Sequence, residues 1–438
     1  MFLGIITSLI MFSVIVLVHE YGHFKTARIF GVKVYEFGLG IPPKAKKLWK
    51  DKHGTEYTLN WFPIGGFVRL KGENLNYFLI YDKDKKSYPQ EELKQILESD
   101  TEIFDKLGNS ISEDDRKNIL IELNKNQDKD NLVNKSYWQQ SIIILAGVFM
   151  NFLFAIIIFT ILFTVGVKPV GINDKIPTNL DILMFPTIEQ AIEKGLLIEK
   201  EGIYLFPLTG SLADKSGIKN EDLLLKINGN TVNKSDEVKN IISQNTGKEL
   251  IFEINRKGKK ENINIKIGTD GKIGSYLAPN IEYNKEFKYQ YNLPKSFLIA
   301  SKEVYNESLL TYKALGVLVQ KLVIPKTKQD RKEALENLGG PVAIFGAVNN
   351  IMKSGLFTIL IVFSAILSIN LGVFNLLPIP ALDGGRFFFM TINEIIRKIT
   401  GKKGIPPHIE GLIHLSFFVI LIFLSIIVTY NDVVKIVN

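Results

Sequence analysis

The chain has 438 residues and no cysteine. Disulfide bridges and thiolate metal sites are thereby excluded, so any metal must be held by histidine and carboxylate. The same absence says nothing about redox compartment. Histidine is scarce as well: there are five, at positions 19, 23, 53, 408 and 414, and two of them share one pentad. Charge is missing over long stretches. Met1–Val18, Ser136–Val167 and Ser354–Leu382 contain no Asp, Glu, Lys or Arg, and Gly411–Asn431 carries only whatever charge His414 takes. Each run is close to or above the roughly 20 residues that cross a hydrocarbon layer. With 46% hydrophobic residues gathered this way, the sequence describes an α-helical polytopic membrane protein with soluble parts.

Where charge is present, its sign has a pattern. The net charge is +8, but the lysines are scattered and many flank apolar runs. That excess is therefore assigned to membrane topology, not to nucleic acid. Nothing basic precedes the first run, whereas Lys25, Arg28, Lys33, Lys44, Lys46, Lys47 and Lys50 follow it. Arg386, Arg397, Lys398, Lys402 and Lys403 separate the third run from the fourth. Both basic segments are expected on the cytoplasmic side, which leaves the N- and C-termini and the long loop after the second run extracytoplasmic. A signal peptide is disfavoured for the first run, because no basic residue comes before it and no small-x-small cleavage site follows it.

The first run leads directly into His19, Glu20, Tyr21, Gly22 and His23, which spell HEYGH. Histidines four apart on a helix project from one face and can reach one Zn2+ ion. A glutamate beside the first of them is placed to act as a general base on water. A catalytic zinc usually takes a third protein ligand. His53 lies in a basic loop, His408 follows two prolines, and His414 opens the fourth run as an interfacial or packing residue. Asp383, at the cytoplasmic end of the third run in NLGVFNLLPIPALDGGR, is the better candidate. An acid inside a bilayer costs about 2.5 to 3.5 kcal/mol on insertion scales, which metal coordination would offset. The alternative is an interfacial acid that caps a helix. Pro378 and Pro380 break the helix ahead of it, and the freed backbone groups require a polar or wet cavity. Asn375 has two readings: contact with a substrate backbone, or a hydrogen bond between helices.

The remaining segments divide by pattern. VKVYEFGLG, EYTLNW and GGFVRLKG read as short strands between Val32 and Glu73. Such a sheet offers an edge to an extended peptide, or serves no substrate at all. The charged stretch Asn74–Val133 is expected to hold two short helices, Pro89–Leu97 and Ser112–Leu123. Gly202–Gly268 alternates strand-like runs with one helix near Ser235–Ser243, and Pro294–Ile324 is apolar at helical spacing.

HEYGH in the first apolar run together with NLLPIPALDGG in the third resembles the site-2 protease family of intramembrane zinc metalloproteases. The resemblance covers nearly the whole chain, and its bacterial sigma-E regulator group is the most similar. It implies His19, His23 and Asp383 as zinc ligands and Glu20 as the catalytic base. Asn375, Gly65, Gly66 and Phe67 are implied as substrate contacts, the last three from a re-entrant β-loop that TEYTLNWFPIGGFVRLKGE is similar to. GPVAIF, from Gly340, resembles a segment that precedes the third helix. GSLADKSGIKNEDLLLKINGNTV, from Gly210 to Val232, resembles a PDZ domain. The implied fold is four transmembrane helices with a small membrane-associated β-sheet and an extracytoplasmic PDZ-like α+β domain, in a bacterial cytoplasmic (inner) membrane among its lipids. The implied partners are transmembrane protein substrates, anti-sigma factors or signal-peptide remnants.

The organisation expected on this basis is a first transmembrane helix at 1–31, the sheet and re-entrant loop at 32–73 and a cytoplasmic charged insert at 74–135. A second helix at 136–167 leads to an extracytoplasmic region at 168–293, with the PDZ-like part at about 202–268. An amphipathic segment at 294–353, a third helix with the LDG motif at 354–385, a connector at 386–410 and a fourth helix at 411–431 complete it. Three departures from the family pattern stand out. Val148 replaces the proline expected in the second helix, Leu212 replaces a proline in the PDZ-like stretch, and Glu221 stands where glycine is common. Two rival readings make other demands. A soluble protease anchored by one helix requires its third ligand in a soluble segment, and an idle scaffold requires that Glu20 be dispensable.

Overall fold

The computed structural model describes residues 2–72, 129–173, 179–327, 329–331, 334, 339–401 and 404–437, with positions 97, 99, 103, 110–113 and 116 between them. The two helices expected at Pro89–Leu97 and Ser112–Leu123 lie almost wholly outside the described residues. The chain forms two compact units, Met1–Val165 with Gln290–Asn438, and Gly166–Tyr289.

The first unit begins with α1 (Phe2–Ile29). Its sequence is apolar on all sides up to Val18, which suits lipid, where a helix satisfies its own backbone groups. Gly31, at φ +67, ends it in the left-handed conformation that glycine takes without a Cβ penalty. Next comes a long antiparallel hairpin, β1 (Val34–Lys50) and β2 (Glu56–Leu70), in which Val34 faces Leu70 and Lys50 faces Glu56. The second and third strand-like segments of the sequence are thus one strand. The base of the hairpin packs on α1 through Phe24, Ala27, Val34, Val68 and Leu70. Arg28 pairs with Asp51 and lies 4.3 Å from the centre of the Phe24 ring, which ties the hairpin to the end of α1. Burial would raise the Asp51 carboxyl, but the hydrogen bond and charge of Arg28 and the backbone N–H groups of Thr55 and His53 together outweigh it and hold the pKa below the ordinary value. Helix α2 (Tyr137–Val165) starts at a reciprocal cap: Gln139 N–H donates to Ser136 Oγ, and Ser136 N–H donates to Gln139 Oε1. It runs unbroken through Val148.

The second unit contains α3 (Ile188–Glu193), β3 (Leu197–Pro207), α4 (Leu212–Lys215), β4 (Asp222–Ile227), β5 (Asn230–Thr231), α5 (Ser235–Gln244), β6 (Glu249–Arg256), β7 (Lys259–Lys266) and β8 (Ser275–Tyr283). Its antiparallel sheet has the order β7-β6-β4-β3-β8, with β5 paired to β4. Alternation sets its faces: along β6, Leu250, Phe252 and Ile254 are buried, while Glu249 and Ile251 are exposed. These side chains join Ile203, Leu205, Leu224, Val238 and Ile265 in one core.

The chain then returns to the first unit. Helix α6 (Leu293–Val323) is capped by Asn292 and buries Ser296, Ala300, Glu303, Val304 and Glu307, with its contacts made to α2 and to the helix described next but one. Helix α7 (Pro341–Ser354) meets α1 through Met11, Ile15 and Val348. Helix α8 (Phe357–Leu376) ends where Leu377 turns extended ahead of Pro378. Helix α9 (Asp383–Thr400) begins at the LDG aspartate, and α10 (Pro407–Val437) closes the chain. Within 354–385 the break expected at Pro378 and Pro380 separates two helices, with the LDG aspartate opening the second, and most of the expected connector at 386–410 is helical. Proline lacks the N–H and disfavours the α conformation before it, which accounts for the break. Among the described residues, four helices are long and apolar enough to cross a membrane: Gly4–Ile29, Tyr137–Val165, Phe357–Leu376 and Ile409–Lys435.

Candidate metal centre

Three chemistry-bearing side chains converge where α1, α2 and α9 meet. Nε2 of His19 lies 2.9 Å from Oδ2 of Asp383, Nε2 of His23 lies 3.3 Å from the same oxygen, and the two Nε2 atoms are 3.2 Å apart. Both histidines are buried, and Asp383 is nearly so. Among the described residues these three form a group able to hold a metal. Ligands placed about 2.0–2.1 Å from a tetrahedral zinc stand about 3.3 Å from one another, which is the spacing seen. Among the described residues, Asp383 Oδ2 is buried without a hydrogen-bond donor, as a metal ligand would be. The residues present therefore fit a zinc ion.

Helix α2 supplies what orients the imidazoles. His23 Nδ1 lies 2.8 Å from the Ile143 carbonyl, which can only accept, so the proton is on Nδ1 and Nε2 offers its lone pair to the centre. His19 Nδ1 lies 3.2 Å from the Asn151 carboxamide, whose Oδ1 is otherwise buried without a partner. With the amide turned so that Oδ1 accepts from Nδ1–H, both atoms are satisfied and His19 also presents Nε2 inward. Ile143, Gly147 and Asn151 recur every fourth residue and so lie along one face of α2. Gly147 sits between the two rings: a Cβ there would stand 2.5 Å from His23 Nε2 and 2.7 Å from His19 Nε2. One turn away, a Cβ at Gly22 would overlap the Ala146 carbonyl. The close crossing of α1 and α2 thus needs glycine on both helices.

Asp383 reaches the site from a tight turn. Gly384 and Gly385 follow it, and a Cβ at either would overlap the carbonyls of Leu377 or Ile379. The two glycines let the first turn of α9 fold directly onto the descending chain. At the first position of α9, the aspartate also meets the positive end of the helix dipole.

The other sequence candidates fall around this group. Glu20 is adjacent to His19 on α1, and its Oε2 accepts from the Val68 N–H of β2 at 3.1 Å. Gly65 and Gly66 of β2 lie against α1, and Phe67 follows them in the strand. Gly65 N–H donates to Ser13 Oγ at 3.3 Å, a Cβ at Gly66 would meet Leu17 at 2.7 Å, and Phe67 covers Gly38. Two donors of β2 are thus engaged by α1. Asn375, in the last turn of α8, is half-buried, and its side chain makes no hydrogen bond among the described residues. It is not part of the three-residue group. His53 is exposed, and the side chain of His408 lies outside the described residues. His414 does not join the group either; its Nδ1 accepts from the backbone N–H of Ala381. Sequence reasoning missed the contributions of Ile143, Gly147 and Asn151. Their period of four on an apolar helix was the available signal.

The sequence pattern of the family described as Peptidase family M50 matches residues 7–429. The chain is 30% identical to the "Probable protease eep" of Enterococcus faecalis, over 98% of each chain. It is 26% identical to the "Zinc metalloprotease RasP" of Oceanobacillus iheyensis and 28% identical to the "Regulator of sigma-W protease RasP" of Bacillus subtilis, again over 98% of each chain in both comparisons.

Proposed function

The chain belongs to peptidase family M50, whose named relatives are zinc metalloproteases, and from that premise we propose that it cleaves peptide bonds inside the transmembrane segments of other proteins. It is a membrane protein and a zinc-dependent protease. The observation that carries the finer reading is the cluster of His19, His23 and Asp383 on helices α1 and α9, with α1 and the neighbouring α8 both of membrane-spanning length and Glu20 alongside.

In this reading His19 and His23 bind zinc through Nε2 and Asp383 through its carboxylate. A zinc ion held there supplies Lewis acidity, which brings the pKa of water to about 7 and polarises a peptide carbonyl. Glu20, held by the Val68 N–H, takes a proton from the attacking water and returns it to the leaving amine. Ile143 and Asn151 keep the imidazole protons on the outer nitrogens. The unengaged Asn375 amide orients the backbone of an unwound substrate, and Gly65–Phe67 form the wall beside it. A substrate helix must open first, since its own hydrogen bonds hide the carbonyls.

The basic flanks described above favour cytoplasmic exposure of the site and extracytoplasmic termini. The unit Gly166–Tyr289, on this reading a PDZ-like domain, would then lie outside the membrane and restrict entry to substrates whose external part has been removed. The substrate class proposed is membrane-spanning anti-sigma factors or signal-peptide remnants. The sigma factor named among the relatives is sigma-W, not the sigma-E suggested by resemblance, which favours an anti-sigma-W-like substrate.

The test is cleavage of a model transmembrane substrate in detergent, with the cut mapped by mass spectrometry. A cut inside the apolar segment that Glu20→Gln abolishes is expected. Cleavage only in the flanking soluble sequence would favour a conventional protease anchored by α1.

A further inference from the structure

We infer that His414, on α10, is a positioning residue for the third metal ligand, acting through the turn that presents Asp383; this rests on the reading of His19, His23 and Asp383 as a zinc site. The turn spans Ile379 to Leu382. Leu382 N–H donates to the Ile379 carbonyl at 3.1 Å, Pro380 occupies the second position, and Ala381 occupies the third at φ +78. That is the form of a type II turn, whose third position needs positive φ and therefore favours glycine. Alanine carries a Cβ and is strained there. In such a turn the N–H of the third residue points away from the closing hydrogen bond and needs an outside acceptor. His414 Nδ1 provides it at 2.8 Å.

The contact fixes the chemistry of the ring. Nδ1 accepts, so the proton lies on Nε2, which faces Glu410 Oε1 at 3.8 Å. The ring also packs against Phe389 of α9, with centroids 5.4 Å apart. His414 thus touches both the turn before Asp383 and the helix after it. The start of α10 is tied down in turn. Asn393 of α9 accepts from Ile405 N–H at 2.7 Å and donates to Glu410 at 3.3 Å. Broad packing does not explain the contact, because none of the most apolar stretch of α10 is buried within the protein. The polar bond to Ala381 is one of a few specific links between α10 and the rest of the protein; toward the other end of the helix, Asp432 Oδ2 accepts from the Gly340 and Ala343 N–H groups at the start of α7. The effect of the Ala381 bond is to hold a strained turn two residues from a ligand whose position sets the metal site.

The test measures zinc affinity by chelator competition, and the cobalt absorption spectrum, on the full-length protein in detergent. Partners of metal ligands typically contribute 10- to 100-fold in affinity. His414→Ala is expected to weaken zinc binding by that factor and to alter the cobalt spectrum. His414→Asn, whose Oδ1 can accept the same N–H, is expected to recover most of the loss. His414→Phe fills the space without an acceptor and is expected to behave like His414→Ala. Ala381→Gly, which removes the strain, is expected to restore binding in the His414→Ala background.

Parent-like affinity and spectrum in His414→Ala would overturn the proposal, as would recovery by Phe equal to that by Asn. Should His414→Ala not fold, the Asn and Phe variants make the same distinction. Asp383→Ala is the control. If it binds zinc as tightly as the parent, the zinc site itself is wrong and this inference falls with it. If Asp383→Ala loses zinc while His414→Ala keeps it, only the role of His414 is refuted.

Discussion

Gly147 stands so close to His23 that a Cβ at position 147 would lie 2.5 Å from Nε2, well inside van der Waals contact. The packing of His19 and His23 thus depends on a residue that contributes no functional group. Gly147→Ala must push apart either the two imidazoles or helices α1 and α2. A displacement of about 1 Å at a catalytic group can cost about 100-fold in rate. We expect Gly147→Ala to lose at least that much cleavage of a transmembrane substrate and to bind zinc more weakly, with helical content by circular dichroism unchanged.

Asn151 offers a second measurement on the same centre. Its amide is the partner of His19 Nδ1, and its own carbonyl accepts from Ser368 Oγ at 3.0 Å. Asn151→Leu is expected to weaken zinc binding by about 10- to 100-fold. Asn151→Asp, which keeps an acceptor toward Nδ1–H, is expected to retain most of the affinity. Equal loss in both variants would assign Asn151 to packing alone.

Glu307 makes stability depend on pH. It is buried on α6, Oε1 has no hydrogen-bond partner among the described residues, and burial raises the carboxyl pKa from 4.5 to about 7. The raised value means that the folded protein favours the neutral acid. Stability is therefore full below pH ~4.5, falls as pH rises through ~7, and levels off above. At 1.36 kcal/mol per pKa unit, the loss by pH 8 is on the order of 3 kcal/mol. Glu307→Gln should raise the thermal midpoint at pH 8 and flatten the profile between pH 5 and 8, on the order of that range.

Glu221 bears on the second unit. It sits at φ +68 just ahead of β4, a conformation that glycine adopts freely. Glu221→Gly is expected to stabilise Gly166–Tyr289 by about 1 kcal/mol, read from denaturant unfolding. A destabilisation would mean that the Glu221 side chain makes a contact worth more than the backbone strain.

Much of this architecture was legible in the sequence because bilayers impose a length and zinc imposes a spacing. HEYGH places two histidines on one helix face, and an acid beside two prolines stands out at the end of an uncharged run. Helix α9 was harder to read. Its Arg386, Arg397 and Lys398 read in sequence as topology signals in a connector, although its phenylalanines and isoleucines recur at helical spacing. Asn151 and the Ile143 carbonyl could not be assigned because their role arises only when α2 packs on α1, and a backbone carbonyl leaves no mark in sequence. His414 reads in sequence as an interfacial or packing residue. Its acceptor role depends on the positive φ at Ala381, which a sequence with alanine at that position conceals.

The central claim is that Asp383 shares one zinc with His19 and His23. It is tested most directly by zinc content after exhaustive dialysis of the purified parent, Glu20→Gln and Asp383→Ala proteins. One zinc per chain is expected in the parent and in the Glu20→Gln variant, and substantially less in Asp383→Ala. A full equivalent of tightly held zinc in Asp383→Ala would contradict the claim.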